Sequence, residues 1–198
     1  HHPDNTKSRS QYFPLLEVAR RESPDDDRTA FYYARELFFN GRLEDAATEF
    51  QRHLALPTAT WAPERAASMR YLAKCGVDPE KWFTLATLEA PSRREPWMDM
   101  ALYAYNNKDW HQVIRCCTRA LEIVDQPLEY LCEEFAWGAL PYDLLSVAYW
   151  NLGENDKALV NAQLAVQVSP EDERLKNNLD MIVATISNQA QSVSTEGA

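Results

Sequence analysis

The sequence predicts an all-α protein, a right-handed α/α superhelix of about four helix-turn-helix repeats with a capping helix at each end. The first observation is a repeated pattern: a glycine separates two apolar helical patterns in residues 38–57 and again in residues 148–170, and a proline closes both segments. The second is spacing, because alanines follow Gly41 and Gly153 at the same offset. The third is the period, since Lys108 lies about two periods of roughly 34 residues after Gly41. Such self-similarity is typical of stacked helical hairpins.

An opening helix is expected in the N-terminal segment, residues 1–26. Pro14 fits this helix only in its first turn, where a missing backbone N–H costs nothing. The run SPDDDR then marks the start of the next helix, because acidic side chains stabilise the positive end of a helix dipole. The apolar side chains of the opening helix are Tyr12, Phe13, Leu16 and Val18.

The repeat array is predicted over residues 27–172, and two of its parts are irregular. The second repeat is shortened, and we expect its inter-helix turn to lack several residues. An insertion over residues 126–141 precedes the last repeat. The four repeats are predicted at residues 27–60, 61–92, 94–127 and 139–172.

Each residue type in the repeats has a mechanical reason for its place. Small side chains allow the two helices of a repeat to approach closely, and aromatic side chains fill the space beside them. Gly41 and Gly153 lie where one helix ends and the chain turns, so we expect positive φ there. The small positions are Ala34, Ala73, Ala101 and Ser146, and the space-filling positions are Tyr33, Phe50, Trp97 and Tyr149.

A C-terminal capping helix is predicted over residues 173–189, followed by a flexible tail over residues 190–198. Leu175, Leu179 and Ile182 recur at helical spacing and give this segment one apolar face. A helix of this kind covers the exposed apolar end of a stack of repeats.

Composition excludes several classes of partner. Thirty acidic and twenty basic residues give a formal charge of −10, so the chain as a whole repels nucleic acid and anionic lipid. No apolar run reaches the roughly 18 residues of a membrane span, and the N-terminus lacks the pattern of a signal peptide. The four cysteines form no C-x-x-C pair and are expected to be reduced residues of the core or its margin. We therefore expect a cytoplasmic protein.

Motifs for catalysis or metal binding are weak. Asp25 and Asp27 form a D-x-D, which holds a divalent metal in nucleotide-sugar enzymes, but here the motif is expected to open a helix. His53 and His111 have no second ligand three or four residues away, so no metal site is predicted. The sequence contains no G-x-S-x-G and no glycine-rich phosphate loop. We expect a chain without a catalytic site or a cofactor.

A binding surface is the more promising functional feature, because the first helices of stacked hairpins line a concave face. Aromatic and arginine side chains are common anchors of recognition surfaces. The alternative is that Tyr32, Phe39 and Trp150 simply pack against neighbouring repeats. The candidate binding residues on this face are Tyr32, Arg35, Phe39, Arg70, Tyr105, Asn106, Asp143, Trp150 and Asn151.

The repeat pattern resembles the tetratricopeptide family over about residues 27–172. The last repeat carries the resemblance, with an aromatic, a leucine, a small residue and a tyrosine on its first helix, then the turn glycine, alanines and a closing proline. These residues are Tyr142, Leu145, Ser146, Tyr149, Gly153, Ala158, Ala162, Ala165 and Pro170. The resemblance implies a module that binds a protein or peptide segment.

Most of the chain is also similar to the helical tail that follows the catalytic domain of bacterial family 2 glycosyltransferases. The stretches that carry this similarity include HHPDNTKSRSQYFPLLE, DDDRTAFYYARELFFNGRLEDAATEF, APERAASMRYLAKC and DERLKNNL. It implies a non-catalytic C-terminal region that positions a glycan acceptor or a partner protein, and that His1 or His2 corresponds to a metal-binding histidine at the end of the catalytic domain. The alternative function is a free-standing scaffold or adaptor that binds a protein segment.

Overall fold

The structure is a computed structural model that describes residues 12–196, with side chains through residue 188. Within these bounds the protein is all-α, with ten α-helices, one short 3-10 helix and no β-strand. Helices that follow one another in the chain pack in succession, which is the arrangement expected of a helical repeat. The chain divides into two compact units, residues 1–91 and 92–198.

The first unit contains an opening helix and two helical hairpins. Pro14 lies in the first turn of the opening helix, as its fixed φ requires. The aspartate that caps the next helix is Asp26, whose carboxylate accepts a hydrogen bond from the Thr29 backbone N–H at 3.3 Å. The helices are α1 (Phe13–Glu22), α2 (Asp27–Phe39), α3 (Leu43–Ala55), α4 (Ala62–Lys74) and α5 (Pro79–Glu89).

Aromatic rings form the core of the first unit. Phe31 on α2 and Phe50 on α3 are fully buried, and their ring centroids lie 6.2 Å apart. Phe50 also stacks on Tyr71 of α4, with 5.2 Å between centroids and only 3° between ring planes. This pair joins the first hairpin to the second, because α3 and α4 belong to different hairpins.

The second unit contains two more hairpins and a long final helix. A connecting segment, residues 123–139, separates its two hairpins, yet the helices on either side of this segment still pack together. The helices are α6 (Arg94–Asn106), α7 (Trp110–Glu122), a 3-10 helix (Glu134–Ala136), α8 (Leu140–Asn151), α9 (Asn155–Val168) and α10 (Glu173–Glu196).

Small residues bring α8 and α9 into close contact, as the sequence predicts. Ser146 is buried, and its hydroxyl donates a hydrogen bond to the Ala158 carbonyl oxygen at 3.0 Å. The short serine side chain can reach this carbonyl because Ala158 lets the two helices approach closely. Ala158, Ala162 and Ala165 are all buried, which explains the run of alanines along α9.

The same turn closes all four hairpins. Gly41 and Gly153 have φ values of 76° and 75°, which confirms the expected left-handed conformation. In every hairpin the backbone N–H at the start of the second helix bonds back to a carbonyl in the last turn of the first helix. These bonds run from Arg42 to Leu37, Val77 to Leu72, Asp109 to Ala104, and Glu154 to Tyr149, with lengths of 2.9–3.2 Å.

The structure differs from the sequence prediction at two boundaries. The turn of the second hairpin, residues 75–78, is not short; helix α5 is short instead, with 11 residues where α3 and α7 have 13. The last helix continues to Glu196 instead of ending at residue 189. The sequence contains no proline or glycine between Glu173 and Glu196 to stop it.

No helix within residues 12–196 combines the length and apolar character needed to cross a bilayer.

Candidate functional site

The predicted binding residues of the first unit do not all reach the surface. Arg35 holds its guanidinium 5.0 Å from the centroid of the Tyr32 ring, so these two side chains form one cation–π pair. Phe39 is 47% exposed, and its ring lies at 76° to the Tyr71 ring with 6.1 Å between ring centroids. Arg70 is buried, at 3% exposure. The prediction that Arg70 lies on an open face is wrong, because α4 packs against helices on several sides.

Tyr32 lines a groove between α1 and α2, which we call the α1–α2 groove. The groove has a volume of about 370 Å³, and its walls are almost entirely apolar. The exception is Glu36, which is buried and has one carboxylate oxygen without a hydrogen-bond partner. The lining residues are Tyr12, Leu15, Leu16, Ala19, Tyr32 and Glu36.

In the second unit, Asp143 serves the fold. Its carboxylate is 2.8 Å from the Arg174 guanidinium at the start of α10, and the Asn178 amide donates to it at 3.5 Å. Asp143 is buried by these contacts. The hydrogen bond to Asp143 raises the pKa of Arg174. Sequence reasoning placed Asp143 on an open face because the position of α10 beside it was unknown.

The other predicted residues of the second unit have different surroundings. Tyr105 packs edge-on against Trp110, with 5.8 Å between ring centroids. Asn106 and Asn151 are exposed. The Asn151 amide donates to the Val147 carbonyl oxygen at 2.8 Å, so it satisfies the end of α8.

Trp150 lines a second groove, between α8 and α10, which we call the α8–α10 groove. The groove has a volume of about 260 Å³ and a largely apolar surface. Met181 contributes a flexible wall that is 63% exposed, and buried Ile182 lies deeper. The lining residues are Ser146, Val147, Trp150, Asn178, Met181, Ile182 and Thr185. The sequence predicts Trp150 here but misses the α10 residues, because an amphipathic C-terminal helix indicates a cap and not one wall of a cleft.

A buried carboxylate holds the connecting segment against α6. Glu95 is 1% exposed, and its Oε1 atom accepts hydrogen bonds from the Glu133 backbone N–H and the Trp137 indole N–H, both at 3.1 Å. The neighbouring Arg94 donates to the Ile123 carbonyl at 2.8 Å and lies 4.1 Å from the centroid of the Trp137 ring. The segment is therefore anchored at both ends by consecutive residues of α6.

His53 is not isolated, contrary to the sequence interpretation. Its imidazole lies with the carboxylates of Asp27 and Glu64, and one potential ligand atom from each lies within 4.8 Å of the others. The three residues belong to α2, α3 and α4, so a search for ligands three or four residues apart on one helix could not find them. His111 is exposed, and His1 and His2 lie outside the described residues.

The cysteines are free thiols, in agreement with the prediction of reduced residues. Cys116 and Cys117 are fully buried on α7. Burial raises the pKa of Cys116 to about 11 and raises the pKa of Cys117 further. Thiols whose pKa is raised by apolar burial are poor nucleophiles, so these two serve packing.

A scan against protein-family models finds no matching family, and a search of the curated proteins finds no matching sequence. Of the α1–α2 and α8–α10 grooves, the α8–α10 groove better combines an aromatic anchor, a flexible apolar wall and polar groups that can orient a ligand.

Proposed function

We propose that the chain is a non-catalytic interaction module of tetratricopeptide type, and that the α8–α10 groove binds a peptide segment of a partner protein. The observation that carries this proposal is the position of Trp150, half-buried on the first helix of the last hairpin, where it lines a cleft. Tryptophan is the residue type most often found at the centre of binding hot spots.

The composition of the groove favours a peptide with apolar side chains. Met181 and Ile182 offer aliphatic contacts beside the Trp150 ring, and methionine adapts to different side-chain shapes. Asn178 and Thr185 donate hydrogen bonds to Asp143 and to the Met181 carbonyl oxygen, so it is their side-chain oxygen atoms that can accept from a peptide backbone N–H. The net charge of −10 favours a neutral or basic segment over an acidic one.

The parent protein that the sequence favours is a family 2 glycosyltransferase, in which this region would position the acceptor or a partner near a catalytic domain. Sequence resemblance alone supports that parent. A free-standing adaptor is the alternative. The coding sequence upstream of His1 separates the two: a domain with strands and a metal-binding D-x-D supports the transferase, and an initiation codon a few residues upstream supports the adaptor.

Peptide binding can be tested with a displayed random peptide library selected on the native chain. A selected peptide is then labelled and titrated by fluorescence anisotropy against the wild type, Trp150→Ala and Met181→Asp. We expect each substitution in the groove to weaken binding by about tenfold or more. Phe39→Ala is the matched control, since it removes an exposed aromatic of the other unit and should change the affinity by less than about twofold.

Two results would contradict the proposal. In the first, Phe39→Ala and Trp150→Ala weaken peptide binding equally, which would exclude the α8–α10 groove as the site. In the second, no peptide is selected, but a glycan array gives binding that Trp150→Ala abolishes. The groove would then be a sugar site, since an aromatic face beside amide and hydroxyl groups also suits carbohydrate.

A further inference from the structure

The trio Asp27, His53 and Glu64 combines the side chains that divalent transition metals prefer. One imidazole nitrogen and two carboxylate groups lie within 4.8 Å of one another, and His53 Nε2 is 3.5 Å from Glu64 Oε1. A tetrahedral zinc ion with bonds of about 2.0–2.2 Å needs ligand atoms separated by about 3.3–3.5 Å. The His53–Glu64 pair already has this separation.

His53 Nε2 is a buried polar atom without a hydrogen-bond partner. The residue is 0% exposed, and Nε2 makes no hydrogen bond within the described part of the chain. A buried nitrogen in this state costs stability, and such atoms are rare in native proteins. The nitrogen faces the Glu64 carboxylate at a distance too long for a good hydrogen bond. A ligand between them would remove the deficit.

The other imidazole nitrogen has the partner that a metal-bound histidine requires. His53 Nδ1 lies 2.9 Å from the buried Ser68 hydroxyl. In the tautomer with the proton on Nδ1, Nδ1–H donates a hydrogen bond to the Ser68 hydroxyl oxygen. The lone pair of Nε2 is then directed at the carboxylates and is free to bind a cation. Metal-ligating histidines commonly use their second nitrogen in this way, which fixes the tautomer and the ring orientation.

The three ligands also differ in exposure in a way that allows a metal to enter. His53 and Glu64 are buried, at 0% and 2% exposure, whereas Asp27 is partly exposed at the first position of α2. The Asp27 carboxylate lies within 4.8 Å of the ligand atoms of the other two residues. The two inner ligands form the base of the site, and Asp27 closes it from the solvent side.

We propose that Asp27, His53 and Glu64 bind one divalent transition metal ion, and that zinc is the preferred ion. The mixed nitrogen and oxygen ligands favour zinc over magnesium or calcium, which take oxygen ligands. The bound ion links the start of α2 to α3 and to the start of α4, so it joins the first hairpin to the second. Its role is therefore structural, and it is independent of the α8–α10 groove.

The test is isothermal titration of zinc into the chelator-treated full chain, with thermal unfolding measured in parallel. His1, His2 and His111 are first replaced by serine, so that no other histidine contributes to binding. We expect one ion per chain and a higher melting temperature with zinc, because a ligand that binds only the folded state stabilises it. Magnesium at the same concentration should leave the melting temperature unchanged. Cobalt should bind in place of zinc and give visible absorption bands that report its coordination.

Substitutions then test which residues bind the ion. Asp27→Asn and Glu64→Gln keep the shape of each side chain and should weaken zinc binding by about tenfold or more. Asp25→Asn is the matched control, because Asp25 is an exposed carboxylate two residues from Asp27 and should leave binding unchanged. Circular dichroism of each variant without metal verifies that the helices are intact.

Two outcomes would overturn the proposal. One is the absence of zinc binding at millimolar concentration in the background that lacks the three other histidines. The other is equal zinc affinity in the Asp27→Asn and Asp25→Asn variants, since a site built from this trio cannot lose a ligand without effect. A variant that fails to fold does not end the test, because Asp27 is partly exposed and its amide replacement alone separates these results.

Discussion

Replacing Glu95 with alanine should release the connecting segment from α6 and destabilise the second unit. The change removes a buried acceptor of two hydrogen bonds, from the Glu133 backbone N–H and the Trp137 indole N–H, each 3.1 Å long. It also removes the carboxylate that lies 3.4 Å from the buried Arg93 guanidinium. Hydrogen bonds to a charged group contribute about 1.5–3 kcal/mol each, so the two together give a loss of roughly 3–6 kcal/mol.

The magnitude can be checked by urea unfolding followed by circular dichroism. Glu95→Gln should cost less, about 1–2 kcal/mol, because the amide keeps the shape and one acceptor oxygen. Glu122→Ala is the matched control on the next helix: its ion pair with Arg119 is exposed and is worth about 0–1 kcal/mol. Hydrogen exchange provides a local readout, in which the Glu133 amide should lose its protection in Glu95→Ala.

The contrary result would be that Glu95→Ala and Glu122→Ala reduce the free energy of unfolding by the same amount within about 0.5 kcal/mol. That result would mean that the connecting segment contributes nothing to stability through its contact with α6. Unchanged protection of the Glu133 amide in Glu95→Ala would lead to the same conclusion independently.

Three further predictions concern packing, the turns and the thiols. Ala158→Leu should overpack the α8–α9 contact and lower the free energy of unfolding by about 1–3 kcal/mol, measured by urea unfolding. Val160→Leu, at a 53% exposed site of the same helix, should lower it by almost nothing. Similar losses in the two variants would contradict the assigned contact. Lys108 has φ of 58°, a left-handed conformation that glycine adopts at less cost, so Lys108→Gly should raise the free energy of unfolding by about 0.5–1 kcal/mol. A lower free energy of unfolding would show that the contacts of the lysine side chain outweigh the relief of backbone strain. Cys75 has a pKa raised by burial from 9.0 to about 11, so its alkylation in the native protein should be slow at pH 8 and accelerate up to about pH 11. An alkylation rate that is already maximal at pH 8 would contradict the raised pKa. Because the pKa of Cys75 is higher in the folded state than in the unfolded state, the stability that this thiol contributes is present below about pH 9 and is lost as the pH rises toward 11.

The hairpins could be predicted from sequence because their signals are local. Gly41 and Gly153 require only that a helix end in the left-handed conformation, and the sequence reports this directly. Ala158 and Ser146 indicate close helix contact by size alone. Gly76 itself lies in register, 35 residues after Gly41; the residues missing from the second repeat belong to helix α5, which follows the turn, and the alignment assigned that shortening to the turn.

The candidate sites depend on contacts between distant residues, which a single sequence does not reveal. Asp27, His53 and Glu64 have no common spacing, and only the packing of three helices brings them together. The role of Asp143 likewise depends on Arg174, which approaches it only after α9 has reversed the chain. Trp150 was predicted as an anchor from its residue type, but the opposite wall of its groove comes from α10.

The repeated hairpin turn has a consequence for how the polypeptide folds. Each of its hydrogen bonds joins residues five positions apart, as from Arg42 to Leu37, so a hairpin can close while the rest of the chain is still unstructured. Proteins dominated by such short-range contacts cross a low entropic barrier and fold rapidly. During synthesis, the first two hairpins can therefore form on the ribosome before the last one has left the exit tunnel.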